Sequence, residues 1–325
     1  MERQNLKIVF MGTPEFAVGT LKALVEGGYR VVAVVTQPDK PVGRHGSQLQ
    51  PSEVKRYALE QGLPVLQPEK MRDPDFLEQL RSYEADLQVV VAFRMLPEVV
   101  WDMPRFGTFN VHAALLPQYR GAAPINWAVI NGETTTGVTT FFVDHDIDTG
   151  RVILRRPFDI PDEADVEYVY DGLMHLGAQA ALDTVDMIVA GDGRVEAIAQ
   201  EEMAVDGPLH AAPKIFKETC RIDWSLPSKR VYDFVRGLSP YPGAWTTLCR
   251  EGEAPLVVKV YKTAKCPEKT WAGQPGEIVV EKNRLYVSTG DTLLRIDTLQ
   301  AAGKKRMDAA AFLNGMRGVD SGRME

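Results

Sequence analysis

Hydrophobic and polar positions follow two different patterns along the chain. In the first half, short runs of β-branched residues, such as LKIVFM at 6–11 and VVAVV at 31–35, are followed by stretches in which apolar residues recur every three or four positions. The short runs predict buried strands, and the longer stretches predict amphipathic helices. Strands that alternate with helices indicate an α/β fold with a doubly wound, mostly parallel sheet.

Individual elements follow from the same patterns. Thr13 is in a position to cap the first helix, and the glycines at 27 and 28 end that helix. The turn after the first strand does not contain GxGxxG, which argues against a dinucleotide site. The segment 135–160 is predicted to form two antiparallel strands joined by a loop. Further helices are predicted at 52–62, 73–83, 123–132 and 166–190, and further strands at 30–39, 86–97 and 108–117.

The pattern changes near residue 205. The stretch DGPLHAAPKIF at 206–216 is rich in proline and has no period, and short alternating runs separated by turns follow a predicted helix at 228–238. Such runs are typical of a small β-barrel or sandwich. We therefore expect a Rossmann-like domain at 1–205, a linker at 206–213 and a second, smaller β-domain at 214–325.

Composition narrows the class of protein. The chain has 325 residues, of which 45% are apolar and 25% charged, as in ordinary globular domains. It contains no apolar run long enough to span a bilayer and its first residues lack a secretion signal, so we expect no membrane partner. Three cysteines (Cys220, Cys249 and Cys266) without metal-like spacing favour a reducing, cytoplasmic location and no metal site.

Charge is distributed unevenly. Residues 1–210 contain 18 Lys and Arg against 31 Asp and Glu, a formal charge of −13, whereas residues 211–325 contain 19 against 13, a charge of +6. A basic segment on an acidic chain favours a polyanionic partner for that segment. Ordinary scatter of charge over a solvated surface would give the same totals.

Candidate chemistry first occurs in the strand TFNVH at 108–112. Side chains two apart in a strand point to the same face, so Asn110 and His112 project together while Val111 enters the core. They lie near the end of a predicted parallel strand, where α/β sheets hold their ligands. An amide and an imidazole can stabilise an oxyanion and move a proton, although a structural hydrogen-bonded pair would show the same pattern.

Three carboxylates (Asp144, Asp146 and Asp148) follow in the loop VDHDIDTG. One of them could face His112, and the spacing does not say which. A hard cation is the alternative occupant, but the glycine and glutamate spacing of an EF-hand is absent, so we expect no metal. Gly150 would permit an unusual backbone or the close approach of a ligand.

Two further polar segments are candidates for ligand contact. The turn at 116–124 contains Arg120, which could hold a carboxylate or phosphate or could brace the turn. The loop 37–52 is longer than a routine α/β connection, and its Lys40 and Arg44 could contact phosphate unless it is an ordinary surface loop.

Together these residues belong to seven ordered motifs that resemble those of the methionyl-tRNA formyltransferases, a family of folate-dependent enzymes. The match covers nearly the whole chain. The motifs are FMGTPEFAV (10–18), TQPDKPVGR (36–44), FNVHAALLPQYRGAAPI (109–125), DIDTG (146–150), APKIFKETCRIDW (212–224), SPYPGAW (239–245) and LQAAGKKRM (299–307).

The resemblance implies formyl transfer from 10-formyltetrahydrofolate to the α-amino group of initiator methionyl-tRNA, by a cytoplasmic monomer that needs no metal. Asn110, His112 and Asp148 match the family's catalytic triad. Two stretches match the family's folate contacts, of which the second lies along the pterin: Ala114, Leu115, Leu116 and Pro117, and then Phe93, Arg94, Met95 and Leu96.

The resemblance also implies how tRNA is held. The loop 37–52, with Lys40 and Arg44, matches the segment that reaches the acceptor end of the tRNA. The second domain resembles an oligonucleotide-fold barrel that helps to hold tRNA, in agreement with its positive charge.

Three positions depart from the family pattern. The family usually has Tyr-Gly where this chain has Phe93 and Arg94, and an arginine there would change contacts near the pterin or the glutamate tail. Ala114 replaces the serine of the motif SLLP. The tRNA loop continues with HGSQ after Arg44, where the family often has lysines.

Other activities remain open from the sequence. A sugar-nucleotide N-formyltransferase would share the triad and a similar second domain, but the loop PDKPVGR at 38–44 fits the tRNA enzymes. Purine-pathway formyltransferases and formyltetrahydrofolate hydrolases share the triad but lack the basic second domain. A non-catalytic nucleic-acid-binding protein would not need the intact triad.

Overall fold

The computed structural model describes residues 2–42, 48–205 and 207–325. The chain divides into two compact units. The first unit comprises Met1–Gly121, Thr135–Asp159 and Tyr170–Ala211, and the second comprises Ala122–Thr134, Ile160–Val169 and Ala212–Glu325. Two short segments that come before residue 205, Ala122–Thr134 and Ile160–Val169, therefore belong to the second unit. The predicted domain boundaries at 205 and 214 do not include this feature.

The regular elements of the first half are short strands and helices, as the pattern predicts. They are β1 Lys7–Gly12, α1 Glu15–Glu26, β2 Arg30–Val35, β3 Lys40–Val42, β4 Gln48–Gln50, α2 Glu53–Glu60, β5 Val65–Leu66, α3 Pro74–Ser82, β6 Leu87–Val91, α4 Glu98–Trp101, β7 Thr108–His112, β8 Arg120–Gly121, α5 Pro124–Ile130, β9 Thr135–Phe142, β10 Val152–Asp159 and α6 Val166–Ala190.

The second half contains more strands than helices. Its elements are β11 Ala211–Ala212, α7 Ser228–Leu238, β12 Ala244–Cys249, β13 Leu256–Thr270, β14 Ile278–Glu281, β15 Arg284–Ser288, β16 Thr292–Ala301, β17 Met307–Asp308, α8 Ala309–Gly315 and β18 Arg323–Met324.

A seven-stranded sheet forms the centre of the first unit, in the order β10-β9-β7-β6-β1-β2-β5. Strands β7, β6, β1, β2 and β5 are parallel, β9 is antiparallel to β7, and β10 is antiparallel to β9. The central strands β1 and β6 are almost wholly buried, as expected of mainly apolar strands covered on both faces, and in β6 the burial includes the polar Gln88. The prediction of a mostly parallel α/β sheet is confirmed.

Two helices begin where their capping residues predict. The side chain of Ser52 accepts a hydrogen bond from the backbone of Lys55, and that of Asp73 accepts one from the backbone of Asp75, with Pro74 at the first helical position. These caps satisfy backbone N–H groups that have no partner within the helix.

The prediction that Thr13 caps the first helix is wrong. Pro14 occupies the cap position, and no side chain caps this helix. The hydroxyl of Thr13 instead accepts a hydrogen bond from the backbone of Gln37, at 3.4 Å, and so ties the end of β1 to the end of β2. The hydroxyl of a threonine beside a helix start can accept a hydrogen bond from the first turn of that helix or from another segment. Here tertiary structure provides the other segment.

The second unit contains a curled antiparallel sheet in the order β14-β15-β16-β13-β12-β18, and β17 also pairs with β16. Its two edges meet, because the backbone of Met324 donates to the carbonyl of Gly276 at 2.8 Å and Glu277 bridges Arg323. The sheet therefore closes into a small barrel, which confirms the barrel prediction and excludes the sandwich. Residues of β12, β13, β15, β16, α7 and α8 fill its core.

The loop 37–52 is partly described. Strands β3 and β4 form an antiparallel hairpin in which Lys40 pairs with Gln50, and Lys40 is exposed. Arg44, the second candidate tRNA contact of this loop, lies outside the described residues. Asp39 fixes the base of the hairpin, because it accepts hydrogen bonds from Lys55 at 2.7 Å and from Gln67 at 2.7 Å. The hydrogen bond from Lys55 lowers the pKa of the Asp39 carboxyl.

Neither a membrane span nor a metal cluster is found in residues 2–42, 48–205 and 207–325. No helix there is long and apolar enough to cross a bilayer, and no three His, Cys, Asp or Glu side chains are grouped to hold a metal ion. The cysteines are free thiols, and burial raises the pKa of each of them, so that they remain protonated at neutral pH.

Helices α5 and α7 approach closely at Gly237. A Cβ added there would lie 2.6 Å from Cγ1 and 2.8 Å from the backbone nitrogen of Ile130. We expect Gly237→Ala to lower the free energy of unfolding by about 1–3 kcal/mol, because the helices must separate. Gly315→Ala, at the end of α8 where an added Cβ meets nothing, is the control and should be neutral or slightly stabilising. Equal urea midpoints for the two variants would contradict the close packing at Gly237.

Candidate active site

The candidate site lies at the carboxyl edge of the parallel sheet in the first unit. Strands β6 and β7 are parallel neighbours, with Val90 opposite Asn110, so the segment after β6 and the end of β7 reach the same edge. His112 is the last residue of β7, and Asn110 lies two residues before it. The strand therefore presents both side chains on one face, near the position at which open α/β sheets bind ligands.

His112 is buried, with 6% of its surface exposed. Its Nε2 lies 2.9 Å from the carbonyl oxygen of Tyr119, and its ring packs edge-on against Phe141. Because a carbonyl only accepts hydrogen bonds, Nε2 carries the proton in the neutral ring and Nδ1 keeps a lone pair. The backbone of Tyr119 therefore sets both the orientation of the ring and the nitrogen that can take up a proton.

Asp148 is the carboxylate that approaches His112. Its Oδ2 lies 3.7 Å from Nδ1 of His112 and accepts a hydrogen bond of 3.0 Å from the backbone of Gly121. The other two aspartates of the loop, Asp144 and Asp146, are exposed, and Asp144 accepts from the backbone of the next residue. The spacing of the three aspartates left the choice open and the family resemblance pointed to Asp148, and in the structure it is Asp148 that lies beside the ring.

The Asp148 loop has an unusual backbone. Asp148 itself has a φ of +56°, in the left-handed region that side chains with a Cβ rarely adopt. The φ angle of Gly150 lies outside the left-handed region. A Cβ added to Gly150 would overlap the carbonyl oxygen of Phe142. The expectation that Gly150 admits a ligand is therefore corrected, because its close approach is to the protein's own strand.

Asn110 is half-buried. Among the residues that the structure describes, its side-chain amide has no hydrogen-bond partner. An amide that has no partner among the described residues and shares a strand face with an imidazole is suited to bind a polar atom of a ligand.

The turn after β7 holds the first candidate folate stretch. Thr139, on the neighbouring strand β9, donates to the carbonyl of Ala114 at 2.7 Å and accepts from the backbone of Leu116 at 3.0 Å. Ala114, Leu116 and Pro117 are buried, whereas Leu115 is partly exposed. A ligand at this turn can therefore reach Leu115, but neither Ala114 nor Leu116, which are 0% exposed.

The segment after β6 holds the second candidate stretch. Met95 is 68% exposed, and Leu96 is buried in the core beneath it. Arg94 lies over the ring of Phe93 and donates to the carbonyls of Glu69, at 2.9 Å, and Pro68. Burial lowers the pKa of the Arg94 guanidinium. The arginine therefore braces two loops instead of offering a free charge at the edge of the sheet.

Arg120 braces the turn, the second of the two roles that its sequence allowed. Its Nε and Nη2 donate to Oε1 of Gln200 at 3.0 and 2.7 Å. Gln200, Thr139 and the carbonyl of Tyr119 are residues of the site that the sequence did not reveal. No motif contains Gln200, Thr139 lies in a buried strand, and a backbone carbonyl has no sequence signal.

Comparison with known proteins agrees with this geometry. The profile of the family described as formyl transferase matches residues 6–185, and that of the formyl transferase C-terminal domain matches residues 214–317. The methionyl-tRNA formyltransferase of Parabacteroides distasonis is 58% identical over 98% of both chains, and that of Bacteroides thetaiotaomicron is 56% identical over the full length of both.

Solved structures share the fold at lower identity. An N-formyltransferase from Helicobacter canadensis, in complex with folinic acid and dTDP-3-aminofucose, has a TM-score of 0.61 at 17% identity, with 90% of this chain and 99% of that chain covered. HypX from Aquifex aeolicus, in complex with tetrahydrofolic acid, has a TM-score of 0.61 at 20% identity, with 95% and 47% covered. The matched profiles and the full-length identities show that the chain belongs to the formyl transferase family, and within it to the methionyl-tRNA formyltransferases.

Proposed function

We propose that this protein transfers the formyl group of 10-formyltetrahydrofolate to the α-amino group of initiator methionyl-tRNA. The observation that carries the proposal is the grouping of Asn110, His112 and Asp148 at one sheet edge. This grouping occurs in a chain that is 56–58% identical, over nearly its whole length, to proteins named methionyl-tRNA formyltransferase. The reaction supplies the N-formylmethionyl group with which translation begins.

The folate donor is assigned to the two segments beside the triad. Family membership supports a folate co-substrate, and the exposed surface of Met95 with the partly exposed Phe93 and Leu115 offers apolar contact to a flat ring. The remaining residues of these segments hold the loops in shape: Arg94, Leu96, Ala114, Leu116 and Pro117.

The chemical step uses the side-chain amide of Asn110. The α-amine nitrogen attacks the formyl carbon, a C–N bond forms, and the carbonyl electron pair moves to oxygen. The side chain of Asn110 donates a hydrogen bond to this oxyanion, which is the charge that a formyl transferase must stabilise. When the oxyanion collapses, the bond between the formyl carbon and N10 of the folate breaks, and N10 receives a proton.

His112 moves the proton. Its Nδ1 accepts the proton that the amine loses and returns it to N10, while Nε2 stays hydrogen-bonded to Tyr119. The carboxylate of Asp148, 3.7 Å from Nδ1, faces the positive charge that develops on the ring and stabilises it. No step of this cycle requires a metal.

The second unit is assigned to the body of the tRNA. Residues 211–325 carry the excess of basic residues. In one region of this segment, basic side chains lie beside aromatic rings. Tyr241 is 81% exposed, and the next residue, Pro242, accepts a hydrogen bond of 2.9 Å from Lys259. The guanidinium of Arg306 lies 3.6 Å from the ring centre of Tyr261. Lys305 is exposed and precedes Arg306 in the chain. We call the five residues of this region the aromatic-basic strip: Tyr241, Lys259, Tyr261, Lys305 and Arg306.

The strip suits a nucleic acid for two reasons. Its cations can neutralise phosphates, and the face of Tyr241 is open to an unpaired base. Lys40 adds a further exposed cation in the first unit, and with Arg44 it forms the loop's proposed contact with the acceptor end.

A sugar-nucleotide N-formyltransferase is the alternative. The Helicobacter canadensis enzyme shares the fold, but at 17% identity it supports the fold alone. The basic C-terminal segment and the loop PDKPVGR at 38–44 favour tRNA as the acceptor.

Competition between acceptors tests the function. With labelled 10-formyltetrahydrofolate, charged initiator tRNA and a dTDP-amino sugar in one reaction, we expect the label to enter acid-precipitable tRNA and not the sugar. Initiator tRNA whose methionyl amine is already acetylated is the control and should accept no label. Label on the sugar nucleotide, with none on the tRNA, would establish the alternative.

Substitution of the triad tests the mechanism. We expect Asn110→Ala to lower kcat by about 100-fold or more, because an oxyanion donor is lost. His112→Ala should have a comparable or larger effect. His145→Ala, an exposed histidine of the same loop as Asp148, should leave kcat unchanged. Single-turnover rates near wild type in either triad variant, with the unfolding midpoint unchanged, would reject the assignment.

Salt dependence distinguishes the two kinds of contact in the strip. We expect Tyr241→Ala to weaken tRNA binding by about 5- to 150-fold at every salt concentration, since one stacked base is worth about 1–3 kcal/mol. Tyr241→Phe should bind like wild type. Lys305→Ala should instead reduce the slope of log Kd against log salt by about 1, since one phosphate contact is lost. Filter binding between low and moderate salt concentrations measures the Kd and its dependence on salt. Identical Kd values at every salt concentration for wild type and all variants would show that the tRNA does not bind at the strip.

A further inference from the structure

Gln200 lies between the two turns of the candidate active site and, among the described residues, makes no hydrogen bond to His112 or Asn110. It begins a short 3-10 helix, Gln200–Glu202, and only 2% of its surface is exposed. A buried, uncharged polar side chain outside every motif of the sequence needs a structural or functional reason.

The amide of Gln200 is fully bonded. Its Nε2 donates to the carbonyl of Asp148 at 2.9 Å and to the carbonyl of Gly150 at 2.8 Å. Its Oε1 accepts from Nε and Nη2 of Arg120 at 3.0 and 2.7 Å. Two donors and two lone pairs are the whole hydrogen-bonding capacity of a glutamine amide. Glutamate could keep the arginine but would face two carbonyl oxygens without a proton to donate.

These bonds close a ring around the imidazole. Gln200 joins the Asp148 loop to Arg120. Gly121, which follows Arg120, donates a hydrogen bond to the Asp148 carboxylate. The carbonyl of Tyr119, which precedes Arg120, accepts a hydrogen bond from His112. Asp148 and Tyr119 both have left-handed backbones, with φ of +56° and +58°. Such residues persist only when surrounding contacts hold them, and Gln200 binds the carbonyls of Asp148 and Gly150, one before and one after Thr149.

The geometry points to Gln200 as a positioning residue for the transfer reaction, one that acts through Asp148 and Arg120 and does not touch substrate. Its amide holds the left-handed turn that places the Asp148 carboxylate between Gly121 and His112. This inference rests on the proposed function, in which that carboxylate faces the charged imidazole. It predicts that loss of the two donated hydrogen bonds lowers catalysis and leaves binding intact.

Steady-state kinetics of Gln200→Glu are the main test. We expect kcat to fall by about 100-fold, because displacement of a catalytic group by roughly 1 Å has an effect of this size. The KM values for the folate donor and for methionyl-tRNA should stay within about threefold, since neither contacts Gln200. Gln79→Glu, an exposed glutamine of α3, is the matched control and should change nothing. A kcat for Gln200→Glu within twofold of wild type would overturn the inference.

A double-mutant cycle with Asp148→Ala separates positioning from general stability. If Gln200 acts through Asp148, Gln200→Glu should have little further effect on the residual single-turnover rate of Asp148→Ala. If its role is only to stabilise the fold, the two losses should multiply, and that result would also overturn the inference.

A ligand-free crystal structure of Gln200→Glu gives a readout that does not depend on the acceptor. We expect Oδ2 of Asp148 to move from Gly121 N, now at 3.0 Å, beyond hydrogen-bonding distance. An unmoved carboxylate would reject the positioning role whatever the substrate. A displaced carboxylate in the variant, together with a wild-type protein that formylates no tRNA, would support the positioning role and reject the proposed function.

Discussion

The hydrogen bond from the Gly121 amide to Oδ2 of Asp148 is the interaction on which the site depends. It joins the turn after β7 to the loop between β9 and β10, two segments distant in the chain that reach the same sheet edge. Tyr119 and Asp148 each carry a left-handed backbone at this junction. Each such residue is less stable than an ordinary conformation by about 1–3 kcal/mol, so the turns persist only because they hold each other.

The sheet makes this junction possible. Strand β9 pairs with β7, and Thr139, opposite His112 in that pairing, also holds the turn at Ala114 and Leu116 through its hydroxyl. One strand therefore fixes both the imidazole and the loop beside it. The hydrogen bonds between paired strands permit little displacement. A site built on strand ends can therefore hold its reacting atoms within about 0.5 Å of the required geometry.

Sequence patterns predicted the parts of this arrangement that depend on local periodicity. The apolar runs gave the strands of the parallel sheet, and the two-residue repeat placed Asn110 and His112 on one face. The residue pattern alone did not choose Asp148 over Asp144 and Asp146, because the choice depends on the fold of the loop, and only the family resemblance pointed to Asp148. Gln200 and the carbonyl of Tyr119 were missed for a related reason: their roles come from contacts between distant segments. Thr13 shows the same limit, since tertiary structure gave its hydroxyl another partner.

The departure from the family at Phe93 and Arg94 has a physical explanation in this chain. A glycine in place of Arg94 would leave the carbonyls of Pro68 and Glu69 to water and would give the loop more backbone freedom. The arginine instead binds both carbonyls and lies over the Phe93 ring, so the two loops are tied together. Two nitrogens of its guanidinium are occupied by these contacts. The surface that the loop offers to a ligand is then set by the exposed thioether of Met95, a flexible apolar side chain that can adapt to a flat ring.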